Sequence, residues 1–125
     1  VLQDHKESAK WYRLAAEQGM VNAQASLGFM HLKGQGVLQD HKESAKWYRL
    51  AAEQEDVISQ YSLGLMYVQG KGVPQDYVLA HMWWNIAGSN GYKDAIKNRK
   101  QVETEMSKQQ IEKAQELARN WKPKK

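Results

Sequence analysis

VLQDHKESAKWYRLAAEQ occupies residues 1–18 and occurs again, unchanged, at residues 37–54. The sequence therefore repeats with a period of 36 residues, and 26 of the 36 positions in the first period match the second. A period of this length is typical of helical repeat arrays, in which each unit buries its apolar face only against its neighbours. The repetition therefore predicts a helical scaffold.

Each copy of this segment predicts one helix. Asp4 is a suitable N-cap for a helix from about His5 to Gln18, because its carboxylate can accept from free amides of the first turn. The apolar positions cover a broad face, as expected of a helix packed on two sides. Gly19 is suited to the left-handed residue that ends such a helix.

The stretch between the copies predicts a second helix, residues 22–33, with Asn22 as its cap, and residues 57–69 form its counterpart in the second period. Gly28 and Gly64 lie inside these helices at a cost of about 1 kcal/mol relative to Ala, which predicts close approach of a neighbouring helix. Glycine-rich turns at residues 34–36 and 70–72 end the helices. One period is thus a helix hairpin.

A third, diverged unit keeps the cap, packing and turn positions of the first two, namely Val73, Gln75, Asp76, Trp83, Ala87, Gly91 and Ala95. A helix is predicted at residues 93–106. Ser107 and Gln110 then form a capping box that opens a last helix with one apolar face, which Pro123 ends. Such a helix is the cap that a repeat array needs.

The sequence thus predicts an all-α fold, a single α/α solenoid domain of antiparallel helix hairpins over residues 1–125, with about seven helices. Its parts are repeat 1 (1–36), repeat 2 (37–72), a diverged repeat 3 (73–106), and a C-terminal capping helix with a basic tail (107–125).

Composition excludes several classes of protein. There is no cysteine, so a disulfide framework, a thiolate metal site and a cysteine nucleophile are all excluded. No apolar run approaches the roughly 20 residues needed to span a bilayer. The net charge of +4 is uneven, because residues 1–91 hold 8 Lys or Arg and 9 Asp or Glu, whereas residues 92–125 hold 10 and 5.

The sequence resembles the Sel1-like repeats, relatives of the tetratricopeptide repeats. The resemblance covers residues 1 to about 98 and rests on two sets of motifs. They are Ala23-Gln24-Ala25-Ser26-Leu27-Gly28 with Gly34-Gln35-Gly36-Val37, Asp40, Ala45, Trp47-Tyr48 and Ala51-Ala52, and Leu63-Gly64-Leu65-Met66-Tyr67 with Gly70-Lys71-Gly72-Val73, Asp76, Trp83 and Ala87.

This resemblance implies a bacterial protein that acts as a scaffold or adaptor for a protein or peptide partner, with no catalytic residues. We also expect no cofactor and no metal site. We expect a monomer, in a periplasmic or secreted location ahead of a cytoplasmic one. Some secreted bacterial members carry a disulfide across each hairpin, which this chain cannot form. Residues 1–18 would be the second helix of a repeat whose first helix is missing, which predicts a truncated or engineered boundary, or a longer natural array.

By similarity to tetratricopeptide arrays, the first helix of each hairpin lines a concave groove. Counting from Leu27 and Leu63, the residues predicted to face that groove are Asn22, Ala25, Phe29, Leu32, Lys33, Ile58, Tyr61, Leu65, Val68 and Gln69, followed by Asp94, Lys97 and Gln101. An apolar groove with a polar rim is suited to an extended or helical peptide. The alternative is that the same side chains pack against the adjacent helix.

Other functions are weaker predictions. The histidines and the aspartates at residues 4, 40 and 76 form no recognisable nucleophile motif, so we expect no enzyme. His5 and His41 lie on equivalent helices that are two packing steps apart, and each step is roughly 8–10 Å. They therefore cannot share one metal ion. The glycine-rich turns lack the Gly-Lys-Ser/Thr of a phosphate loop.

Two alternatives stay open. The basic C-terminal third could bind nucleic acid or an acidic partner, although its interleaved Asp and Glu residues suit ion pairs on solvated helix faces, which makes nucleic acid the less expected ligand. Nearly identical repeats could also form a passive structural spacer.

Overall fold

The structure is a computed structural model that describes residues 4–124, so residues 1–3 of the first copied segment and residue 125 of the basic tail lie outside it. Residues 4–124 form helices and no strand: α1 His5–Glu17, α2 Val21–Lys33, α3 His41–Glu53, α4 Val57–Gln69, α5 Tyr77–Ser89, α6 Lys93–Val102, a 3₁₀ turn Glu103–Glu105, and α7 Lys108–Asn120. The predicted all-α chain of about seven helices is confirmed.

The aspartate caps of the copied segment form as predicted. Asp4, Asp40 and Asp76 each accept a hydrogen bond from a backbone N–H two or three residues further along, at 3.0–3.2 Å. Each cap satisfies an amide that has no partner inside its helix. The repeated Asp therefore sets where α1, α3 and α5 begin.

The predicted cap of the second helix is wrong. α2 begins at Val21, and Met20 holds the N-cap position without a side-chain hydrogen bond. The backbone N–H of Met20 donates to the carbonyl of Ala15 at 3.2 Å, which fixes the short link after α1 and leaves Asn22 inside the first helical turn. In α4 the corresponding residue is Asp56, which does act as a cap.

The predicted close approaches at the two helical glycines are confirmed. A Cβ atom at Gly28 would lie 3.0 Å from Cδ1 of Tyr48, and one at Gly64 would overlap the indole of Trp84. The missing side chains therefore let an aromatic ring of the following helix lie against the helix backbone. This contact joins α2 to α3 and α4 to α5.

α6 is shorter than predicted, because it ends at Val102 rather than Met106. The hydroxyl of Thr104 donates to the carbonyl of Gln101 at 2.7 Å, and Met106 takes an extended conformation. That extended residue lets Ser107 begin α7 through the predicted capping box, whose two hydrogen bonds to Gln110 measure 2.8 and 3.1 Å.

α7 caps the array from the side of α5. The rings of Trp121 and Trp83 meet edge to face, with centroids 5.8 Å apart. Beyond the helix, the backbone N–H of Lys124 donates to the carbonyl of Glu53 at the end of α3, at 2.8 Å. The main apolar cluster, built around α4, α5 and α6, is thereby covered at the C-terminal end.

The two copies of the repeated segment differ in burial. Trp47 and Tyr48 of α3 are 3% and 4% exposed, whereas the identical Trp11 and Tyr12 of α1 are 61% and 38% exposed. α3 packs between α2 and α4, while among residues 4–124 α1 packs closely on α2 alone. The expectation of packing on two sides is therefore correct for α3 and wrong for α1.

Candidate partner-binding groove

The predicted groove residues share one face of α2, α4 and α6. Leu27 and Leu63, which lie on the opposite face, are completely buried. The predicted residues are all half-buried or exposed: Asn22, Ala25, Phe29, Leu32, Lys33, Ile58, Tyr61, Leu65, Val68, Gln69, Asp94, Lys97 and Gln101. Spacings of three and four residues along each helix produce this division. We call this face the groove face.

A first hollow on this face has a volume of about 350 Å³ and brings together side chains from four helices. Phe29 of α2 and Ile58 of α4 line it, with Tyr12 and Ala25 beside them. Phe29 is 45% exposed and Ile58 is 61% exposed, which makes them large apolar side chains open to solvent. The ammonium of Lys33 lies 5.9 Å from the centre of the Phe29 ring.

A second hollow of about 310 Å³ lies between α4, α5 and the end of α6. Leu65 and Val68 are the predicted groove residues that form its apolar wall, together with Trp84 of α5. Its rim is polar and is formed by Asn98, Gln101, Thr104 and Glu105. The side-chain amides on this rim can both donate and accept hydrogen bonds.

Tyr61 lines neither hollow and packs against the main apolar cluster, so it belongs partly to the framework. Its ring centre lies 5.1 Å from that of Tyr92 and 6.4 Å from that of Trp84. Its hydroxyl oxygen accepts a hydrogen bond from the Asn98 side chain at 3.2 Å. Tyr61 therefore ties α4 to α5 and α6, in addition to presenting part of its ring on the groove face.

The prediction placed the groove residues only on the first helix of each hairpin, and so it missed those from the second helices. Tyr12, Tyr48, Tyr77 and Trp84 border the hollows from α1, α3 and α5. The available signal was the recurrence of an aromatic at residues 12, 48 and 84, one period apart. Conversely, seven predicted residues do not line either hollow, namely Asn22, Leu32, Lys33, Tyr61, Gln69, Asp94 and Lys97.

Burial raises the pKa of Tyr48 to about 12, and the nearby charge of Asp56 acts in the same direction. Tyr48 is therefore a neutral phenol that forms the floor of the first hollow.

Within residues 4–124 no three His, Asp or Glu side chains gather as a metal site. None of the helices in that range is long and apolar enough to cross a bilayer.

The hairpin stacking and the glycine–aromatic contacts define an α/α solenoid repeat protein. A family model described as the Sel1 repeat matches residues 1–20, 21–56 and 57–92, so the chain belongs to the Sel1 repeat family. The matched units begin at α2 and α4, which is another starting point within the same 36-residue period. Sel1 repeat proteins generally mediate protein–protein interaction and are typically non-enzymatic scaffolds.

Two solved bacterial structures are similar to the chain. One is a protective antigen present in uropathogenic Escherichia coli strains that displays an SLR fold, with a TM-score of 0.91 and 36% identity over 94% of this chain. The other is a Sel1 repeat protein from Oxalobacter formigenes, with a TM-score of 0.71, 41% identity, and coverage of 74% of this chain and 69% of that one. The chain spans only 25% of the length of the E. coli protein. A comparison of this chain with the curated proteins found no match.

Proposed function

We propose that this chain is an interaction scaffold that binds an apolar peptide segment of a protein partner on its groove face. The observation that carries the proposal is the convergence of Phe29 and Ile58 in the first hollow. The two side chains come from different helices, line the same hollow, and are both substantially exposed. Partially exposed apolar side chains that border a concave site are suited to bury a partner's side chain.

The two hollows favour a peptide with apolar anchors. Each offers an apolar wall large enough for one aliphatic or aromatic side chain, so two such anchors on one segment match the face. The carboxamides of Asn98 and Gln101 can hydrogen-bond the peptide backbone between or beside the anchors. Lys33, whose ammonium lies 5.9 Å from the centre of the Phe29 ring, and the exposed Lys97 favour an acidic residue in the peptide.

The experiment is a selection from a displayed library of random peptides with the intact chain. Peptides with two apolar anchors should be enriched, and Phe29→Ala together with Ile58→Ala should abolish their binding. Because both side chains are exposed, each substitution should change the free energy of unfolding by no more than about 0.5 kcal/mol.

Leu38→Ala is the matched control, since Leu38 is an apolar side chain that is 88% exposed but lies in the loop before α3. It should leave the affinity of the enriched peptides unchanged. Equal enrichment of peptides on the parent and on the Phe29/Ile58 double variant would contradict peptide binding on the groove face. Failure of the intact chain to enrich any peptide would favour the passive spacer.

A further inference from the structure

A buried polar contact joins α5 to the turn that follows α6. His81 is completely buried, and its Nε2 atom lies 2.7 Å from Oε2 of Glu103, whose side chain is 33% exposed. Because a carboxylate oxygen only accepts hydrogen bonds, the imidazole is the donor. The first two units cannot form this pair, since Ala9 and Ala45 stand at the positions that correspond to His81.

The residue at the position of Glu103 has a different partner in the second unit. There the equivalent residue is Tyr67, whose hydroxyl accepts a hydrogen bond from the Arg49 side chain at 2.7 Å. Arg49 corresponds to Asn85, which lies four residues, or one helical turn, after His81. The third unit therefore makes this interhelical contact one turn closer to the beginning of α5.

His81 lies under the α5 wall of the second hollow. Tyr77 and Trp84 form that wall, and His81 is four residues after the first and three residues before the second. Residues at these spacings share one face of a helix. His81 does not line the hollow itself. Its imidazole thus occupies the same stripe of α5 as the wall, below the surface.

Glu103 begins the 3₁₀ turn that carries part of the opposite side of the second hollow. Its neighbours Val102, Thr104 and Glu105 all line the hollow, whereas Glu103 does not. The backbone carbonyl of Glu103 accepts a hydrogen bond from the N–H of Met106 at 3.1 Å. Because its side chain is held by α5 and its carbonyl by the end of the turn, Glu103 fixes the turn from both sides.

We propose that His81 and Glu103 are positioning residues for the second hollow. The pair holds the turn at residues 103–105 against α5 and thereby sets the space for a peptide side chain between that turn and the wall. This proposal rests on the peptide binding proposed above. The first hollow is lined only by residues between 5 and 58, so an anchor bound there should not depend on the pair.

Glu103→Ala and Glu103→Gln test the pair, because glutamine keeps an oxygen that can accept from His81 and alanine does not. One peptide enriched in the selection above is titrated against both variants, together with two derivatives in which each anchor is replaced by alanine. The anchor in the second hollow is the one whose removal abolishes the effect of Val68→Ala, since Val68 lines only that hollow.

Glu103→Ala should weaken binding of the intact peptide about tenfold and should leave unchanged the binding of the derivative that lacks the anchor in the second hollow. Glu103→Gln should bind the intact peptide within about threefold of the parent. Glu112→Ala is the charge-matched control, because Glu112 is an exposed residue of α7 that lines neither hollow. It should not change the affinity.

Amide hydrogen exchange measures the turn without any peptide. Glu103→Ala should raise the exchange rates at residues 104–106 about tenfold or more, and Glu103→Gln should keep them near those of the parent. Unchanged exchange in Glu103→Ala would overturn the positioning role whether or not peptides bind. Faster exchange with no loss of affinity, or with an equal loss for both single-anchor derivatives, would also overturn it. If the turn loosens but the intact chain enriches no peptide, the proposed function has failed and this role fails with it.

Discussion

Trp84 donates its indole N–H to the backbone carbonyl of Tyr61 at 3.1 Å. This hydrogen bond holds the indole so close to α4 that a Cβ atom at Gly64 would overlap it. In the preceding period Tyr48 occupies the place of Trp84, and a Cβ atom at Gly28 would lie 3.0 Å from its ring. The same Leu–Gly pair thus tolerates two sizes of aromatic, with less space at Gly64.

Gly64→Ala should therefore destabilise the protein more than Gly28→Ala. Overpacking at Gly64 is expected to cost about 2 kcal/mol, even after the gain of roughly 1 kcal/mol from replacing a helical glycine. Gly28→Ala should be close to neutral, because a small shift of the Tyr48 ring can accommodate the methyl group. Denaturant unfolding of both variants gives the comparison, and a larger loss at Gly28 would contradict it.

Tyr48 predicts a decline in stability at alkaline pH. Its pKa is about 12 in the folded protein and about 10 in an unfolded chain, so folding favours the protonated phenol. The stability that the protonated phenol of Tyr48 contributes to the folded state is fully present below pH 10 and is lost as the pH rises towards 12. The expected loss is about 2 kcal/mol by pH 12, on the scale of the pKa shift.

Other groups titrate in this pH range, so the measurement is the difference between the parent and Tyr48→Phe. The free energy of unfolding should fall less steeply in the variant between pH 10 and 12. Tyr12→Phe is the control, because Tyr12 occupies the same position in the copied segment but is 38% exposed. An identical pH slope for the parent and Tyr48→Phe would refute the assignment.

The framework was predictable because its determinants are local. The cap at Asp40 depends on residues within one helical turn, and the role of Gly28 follows from its place inside a helix. By contrast, the burial of Trp47 and the exposure of Trp11 cannot be read from their surroundings, which are identical in sequence. That difference depends on which helices lie next to each copy.

The groove face was predictable in part for the same reason. Helical periodicity correctly places Phe29 and Ile58 on a solvent-facing side, but it contains no information on the helices across from them. Tyr61 shows the limit: its contacts with Tyr92 and Asn98 lie 31 and 37 residues further along the chain. Binding by this face stays a prediction, and Phe29 and Ile58 test it more cleanly than Tyr61.

Trp121 should be the main anchor of the capping segment. Its ring meets Trp83 edge to face and is half-buried, so Trp121→Ala should lower the free energy of unfolding by about 2–3 kcal/mol. Lys124→Ala should change it by less than about 0.5 kcal/mol, since the Lys124 side chain is 74% exposed and forms only a surface ion pair with Glu53. Thermal unfolding checks both, and similar losses would mean that the ion pair contributes as much as the ring.

Glu55 is the one non-glycine residue with a positive φ among residues 4–124, at +73°. Gly19 and Gly91 occupy the equivalent positions one period away on either side, with φ of +89° and +91°. All three follow a helix of the copied type and donate a backbone N–H to the carbonyl three residues earlier, at 2.9–3.1 Å. The turn is thus the same, but at Glu55 it holds a side chain in a conformation that favours glycine.

Glu55→Gly should consequently raise the free energy of unfolding by about 1 kcal/mol, because it relieves the left-handed strain. Glu55→Ala removes the carboxylate but keeps the Cβ atom, so it should give no gain. Gly91→Ala introduces the strain at an equivalent turn and should cost about 1 kcal/mol. Urea unfolding of the three variants separates backbone strain from charge, since an equal gain for Glu55→Ala and Glu55→Gly would identify the carboxylate as the source.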